Sequence, residues 1–233
     1  MTSAEPQSDS PALATSDDDG PIGESRWPPA LALVGFLVLN VVVRLWLPGQ
    51  GAIRLPWLLP GVEALLFLAL LAGPGRMGTR AQTLRRVCLA LVGVLVVAAL
   101  WGTAVLVYDL IEGKGVTGKP SELLASGALV WLGNNVAFAL LYWLVDGGGP
   151  IARLRDPTPV DWAFTQQLSP EVAPDWRPVF LDYLHLGFTN ATAFSPTDVM
   201  PLTLRAKYIM LVQSTVALAL FGLVLARAVN AFV

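Results

Sequence analysis

The chain has 233 residues, of which 55% are hydrophobic and only 14% charged, against about a quarter charged in soluble domains. With a mean hydropathy of +0.61, so many apolar side chains cannot be hidden in one small soluble core, which excludes a soluble or secreted domain and makes the lipid bilayer the natural partner. The net charge of −2 speaks against nucleic acid, and one cysteine and one histidine leave no intramolecular disulfide and no multi-cysteine or multi-histidine metal site.

Residues 1–27 hold Glu5, Asp9, Asp17, Asp18, Asp19 and Glu24 against Arg26 alone. A signal peptide would open on basic residues and run into an apolar stretch; this segment reads as a disordered acidic tail. Five apolar segments then meet or approach the ~20 residues needed to cross a bilayer: 28–48, 56–73, 86–110, 123–145 and 204–230. Pro and Gly punctuate several of their ends, as in Gly73-Pro74-Gly75 and Gly147-Gly148-Gly149-Pro150. The fold class expected is an all-α polytopic membrane protein with about five transmembrane helices. A polar, proline-rich stretch, 146–177, separates the fourth and fifth. Within it, Asp161–Leu168 suggests a short interfacial helix. The apolar run 178–194 is short for a span and carries Asp182, His185 and Asn190, which fits a re-entrant helix buried among others.

Orientation follows the bias of Lys and Arg in short loops. Arg76, Arg80, Arg85 and Arg86 face no acid in the loop after the second segment, so that loop is expected in the cytoplasm, with the N-terminus and loop 146–177 on the same side. Ten bases then fall inside and five outside. The richness in Ala, Leu, Val, Gly and Arg suits a GC-rich bacterial genome, and the plasma membrane is the expected location.

Ionisable and amide side chains inside spans are candidates for function. Arg44 and Glu63 fall at similar depth in the first and second segments, where they could pair. Asn134 and Asn135 lie midway along the fourth, placed to hydrogen-bond across helices. Asp182 and His185 are three apart and share one helical face, where they could form a proton-sensitive pair, although a structural hydrogen bond is the expectation. Trp27, Trp46, Trp57, Tyr142 and Trp143 lie near span ends, as an interfacial aromatic belt would.

The stretch Thr192-Ala193-Phe194-Ser195-Pro196-Thr197-Asp198-Val199-Met200-Pro201, between the short apolar run and a long apolar helix, resembles the filter region of two-helix potassium channels. Thr192, Asp198 and Pro201 match that family's Thr-Val-Gly-Tyr-Gly-Asp, two residues and Pro, by type and spacing. The resemblance covers 123–233 as outer helix, pore loop and inner helix; 28–122 would be a separate three-helix region. More broadly, the chain resembles uncharacterised bacterial multi-helix membrane proteins that end in such a loop. The resemblance implies a homo-oligomer, a tetramer in that family, conducting a monovalent cation past Thr192, Ala193, Phe194, Ser195, Pro196, Thr197 and Asp198. The two glycine positions are here Ser195 and Thr197, and the tyrosine position is Pro196. Glycine allows backbone angles that other residues resist, so a non-conducting membrane scaffold stands as an alternative, as does a transporter with one broken helix. No phosphate loop, His-Glu-x-x-His or Gly-x-Ser-x-Gly motif occurs, so neither an enzyme nor a cofactor is expected.

Overall fold

A computed structural model describes residues 27–46, 58–71, 79–112, 120–155, 159–169, 171, 176–192 and 198–231. Residues 1–26 of the acidic tail lie outside the described residues, and Trp27 already belongs to the first helix. The elements are α1 (Trp27–Trp46), α2 (Leu58–Leu71), α3 (Thr79–Glu112), α4 (Pro120–Val145), α5 (Ala152–Arg155), β1 (Trp162–Phe164), α6 (Thr165–Leu168), α7 (Phe180–Thr192), β2 (Val199–Pro201) and α8 (Leu204–Ala231). The architecture is all-α apart from one two-stranded ribbon. Three helical stretches among the described residues are long and apolar enough to cross a bilayer: Gln82–Glu112, Leu124–Gly148 and Leu204–Ala226. Two shorter apolar stretches, Trp27–Val38 and Pro60–Leu70, belong to α1 and α2.

α4 is the central helix. Its apolar residues are spread around the helix, the pattern of a helix surrounded by others, and 67% of its apolar 18-residue stretch is buried, against 28% for α3 and for α8. It packs on α1, α3, α7 and α8. Two glycines allow the close approaches: a methyl group on Gly127 would meet Val224 of α8 at 2.9 Å, and one on Gly133 would meet Phe36 of α1 at 2.5 Å. Small residues at helix crossings are how packing is gained in lipid, where there is no hydrophobic drive between helices.

The contacts fix the directions of the helices. Asn134 Nδ2 donates to Thr103 Oγ1 in the C-terminal half of α3, and Arg85 near the start of α3 lies beside Gly149, so α3 and α4 are antiparallel. Trp143 meets Phe180 and Trp131 meets Phe188, so α7 runs back along α4. Tyr142 reaches Gln213 while Gly127 meets Val224, so α8 also runs antiparallel to α4. The end of α4 and the starts of α3, α7 and α8 therefore share one side of the bundle, called the head side below.

The head side carries the described residues between Asp146 and Val179. α4 ends in a tight turn, Asp146–Gly148, capped by Gly149; Gly147, Gly148 and Gly149 adopt φ of 54°, 83° and 95°, a region that side-chain-bearing residues resist. Residues 161–168 are not the single interfacial helix expected from sequence. Trp162–Phe164 is a strand, buried at all three positions, and only Thr165–Leu168 is helical. β1 pairs antiparallel with β2 in the register Trp162 to Pro201, Ala163 to Met200 and Phe164 to Val199.

Candidate functional site

α7 is amphipathic. Phe180, Tyr183, Leu186, Gly187, Asn190 and Ala191 are buried, which is one face at helical spacing. Leu181, His185, Phe188 and Thr192 are exposed. The helix begins after Pro178, and Asp182 Oδ2 accepts the Val179 amide at 2.7 Å, half of a capping box with the acid near the positive end of the helix dipole.

Thirteen residues extend ~20 Å, and α7 descends deep into the bundle. A Cβ on Gly187 would lie 3.5 Å from the Asn135 carbonyl oxygen and 3.8 Å from Ala139, at mid-height of α4. The tip, Ala191 and Thr192, faces Leu124, Gly127 and Phe221 around a cavity of about 410 Å³. Leu124 begins the spanning stretch of α4 at the end away from the head side. Asp198, in contrast, lies back beside His185, two turns above Thr192, with Nε2 to Oδ2 at 3.2 Å.

Two buried polar clusters hold α7. The inner one lies between α4, α7 and α8. Tyr142 OH donates to Gln213 Oε1 at 2.5 Å, and Asn190 Nδ2 donates to the same oxygen at 2.9 Å and to the Met210 carbonyl at 3.0 Å. Gln213 Nε2 donates to the Gly187 carbonyl at 3.0 Å. Where no water competes, such mutually satisfied groups fix one packing arrangement.

The outer cluster lies on the head side. Asp146 is fully buried. Its Oδ1 accepts the amides of Asp161 and Trp162 at 2.6 and 3.3 Å, and its Oδ2 accepts Tyr183 OH at 2.5 Å. Arg153 donates to the carbonyls of Trp143 and Asp146, satisfying the end of α4, and stacks over the Tyr183 ring at 5.1 Å. Asp161, also fully buried, accepts Thr203 Oγ1 at 2.6 Å and a bidentate pair of bonds from Arg205. Burial alone would raise the Asp161 carboxyl; the hydrogen bonds from Arg205 and Thr203, together with the guanidinium charge, outweigh it and hold the group below the usual carboxylate range. Trp162 drops its ring between α4 and α8, 5.0 Å from Tyr142, with Nε1 donating to Met210 Sδ at 3.2 Å. The head of α7 is thus tied to the end of α4 through Tyr183, and β1 is tied to the start of α8 through Asp161.

The residues singled out in the sequence are distributed as follows. Thr192 and Asp198 flank the filter-like stretch; Ala193, Phe194, Ser195, Pro196 and Thr197 lie outside the described residues. After Asp198 the chain forms β2, and Thr203 caps α8 by accepting the Ala206 amide at 3.2 Å. His185 pairs with Asp198 across the loop, and Asp182 caps its own helix while interacting with His185 through its charge. Asn134 does bond across helices, to Thr103, whereas Asn135 Nδ2 turns back to the Trp131 carbonyl. Glu63 is fully buried on α2; the Arg44 side chain lies outside the described residues. Trp143 and Tyr142 are core residues, 1% and 0% exposed, not members of an interfacial belt: α4 is wrapped by neighbours even at its last turn. Trp27 is exposed, and Trp46 and Trp57 lie outside the residues whose side chains are described.

Sequence reasoning passed over Asp146, Asp161, Tyr183, Arg205 and Gln213. Gln213 had a usable signal, as an amide in the middle of a long apolar run. Asp146 and Asp161 had none, because a loop carboxylate looks solvated until its partners, 15 to 44 residues away, are placed around it. No family model, curated protein or solved structure matches this chain.

Proposed function

We propose that the protein is a channel-like membrane protein in which α7 is a re-entrant helix, the 192–198 stretch forms a constriction for a monovalent cation, and α8 lines the path beyond it. In this reading α1 and α2 are two further spans, giving five, and the protein sits in the plasma membrane with its head side and N-terminus in the cytoplasm. The observation that carries the reading is the exposed face of α7. His185, Thr189 and Thr192 lie along it between mid-height and the far part of α4, with Asp198 against His185. Polar and ionisable groups at that depth are not left against hydrocarbon; they face protein or a water-filled path. One such helix per chain encloses no axis, so the face is completed by further copies of the chain, and a homo-oligomer follows. The C-terminal end of α7 presents the partly negative end of its dipole to a cation.

A non-conducting scaffold is the second reading, favoured by the absence of both filter glycines and by the dense inner cluster that seals α7 to α4 and α8. Purified protein in liposomes separates the two by K⁺ and Na⁺ flux. Conduction is expected, reduced at least tenfold in Asp198→Ala. Absence of flux from well-folded protein leaves the scaffold; flux unchanged in Asp198→Ala removes the constriction from the 192–198 stretch.

A further inference from the structure

His185 is the chain's only histidine, and it tethers an element far from it in sequence. Its Nε2 is 3.2 Å from Asp198 Oδ2, with both side chains about half exposed. Asp198 leads into β2, and its carbonyl accepts the Thr165 amide at 3.2 Å, so the contact joins α7 to the leading end of the ribbon. The trailing end is held separately, by the Leu202 amide on the Asp161 carbonyl and by Arg205 and Thr203 on the Asp161 carboxylate. Among the described residues the leading end is held by the pairing of Val199 with Phe164 and the burial of Val199 in the core, and by the contacts of Asp198.

Two carboxylates lie near this imidazole. Asp198 faces it from the ribbon, and Asp182, one turn earlier on α7, interacts with it through its charge. α4 offers no charged side chain from Leu124 to Val145; its one titratable group there, Tyr142, is bonded to Gln213. β1 and α6 carry none from Trp162 to Leu168, and α1 none from Trp27 to Val38. On the head side Asp146 is satisfied by Tyr183 and two amides, with Arg153 on its carbonyl, and Arg205 is committed to Asp161; Lys207 is exposed on α8.

We infer that His185 and Asp198 form a proton-operated clasp between α7 and the ribbon. With the imidazolium present, the contact is a charge-assisted hydrogen bond, about twice as strong as its neutral counterpart. Histidine is the side chain whose charge changes between pH 5 and 8, so the leading end of β2 is held more firmly at pH 5.5 than at pH 8. As a regulator of ion flow the clasp rests on the function proposed above; as a contact it does not.

The test uses the full-length protein in lipid nanodiscs and liposomes, with parent, His185→Gln, Asp198→Asn and Asp182→Asn variants each confirmed as folded by gel filtration. The imidazole ¹⁵N resonances of the single histidine give its titration midpoint directly. The expected midpoint falls by at least half a pH unit, about threefold in proton affinity, in Asp198→Asn, and by less in Asp182→Asn. An unchanged midpoint in Asp198→Asn overturns the clasp whether or not the protein conducts. Where parent liposomes conduct, flux is expected to change at least threefold between pH 5.5 and 8 and to be flat in His185→Gln; a pH response that survives in His185→Gln overturns the regulatory role. Protein that shows the midpoint shift but no flux loses the channel reading and keeps the clasp.

Discussion

Asp161 concentrates much of the head-side energetics in one carboxylate. Removing one partner of a buried ion pair is more damaging than the pair is stabilising, because the other charge is left uncompensated. Arg205 is 58% exposed and can rehydrate, which moderates the loss. Asp161→Asn is expected to cost about 1–3 kcal/mol, read as a lowered melting midpoint in detergent. The pH dependence has a definite sign. The folded carboxyl lies below its ordinary range, so its stabilisation is fully present above about pH 4 and is lost as pH falls through the folded-state value. Acid titration of the melting midpoint should therefore show a loss below pH 4 that is reduced in Asp161→Asn; an identical acid limb in both proteins would show that Asp161 is not the group responsible.

The turn after α4 and the ribbon matter as elements because they set where α7 begins. Three consecutive residues at positive φ return the chain beneath α4, so that Arg153 reaches the last carbonyls and the Asp146 carboxylate meets the amides of β1. Gly149→Ala places a methyl group at φ 95°, 3.1 Å from the Leu144 carbonyl oxygen and 3.3 Å from Arg85 Nε. A cost of about 1–3 kcal/mol is expected, measurable as a drop in melting midpoint. A neutral Gly149→Ala would mean that the turn relaxes freely and does not position α7. The ribbon was not legible in the sequence. Its strands have three residues each and lie 35 positions apart, too short for a period of two and too distant for a turn signal to join them. Trp162 and Phe164, two apart, share a face only in an extended strand, and three residues are too few to show that spacing until β2 is there to pair with them.

For the molecule as a whole, the sides on which the loops lie can be checked without any assay of function. Arg85 beside Gly149 puts the start of α3 on the head side with α5. Single cysteines at Gln82 and Ala152, in a Cys88→Ser background, are expected to react alike with a membrane-impermeant thiol reagent, both from the cytoplasmic face of oriented vesicles. Opposite accessibility would break the antiparallel arrangement of α3 and α4; shared accessibility from the outer face would invert the proposed orientation while leaving the fold intact.

The sequence by itself determined the helical, bilayer-seeking character of the chain and the approximate extents of α3, α4, α7 and α8. Hydrophobic run length and Gly and Pro breakers are local properties, and the cost of unpaired backbone in hydrocarbon leaves a single chain of this pattern little choice but helices. It also marked α7 as too short and too polar for an ordinary span. Only the tertiary structure decided that α4 is the central helix, that Tyr142 and Trp143 belong to the core, that Asp146 and Asp161 are buried, and that His185 meets Asp198. Each of these depends on which distant residues come within hydrogen-bonding distance, and the 3.6-residue periodicity of a helix says which face a residue occupies but not what that face meets.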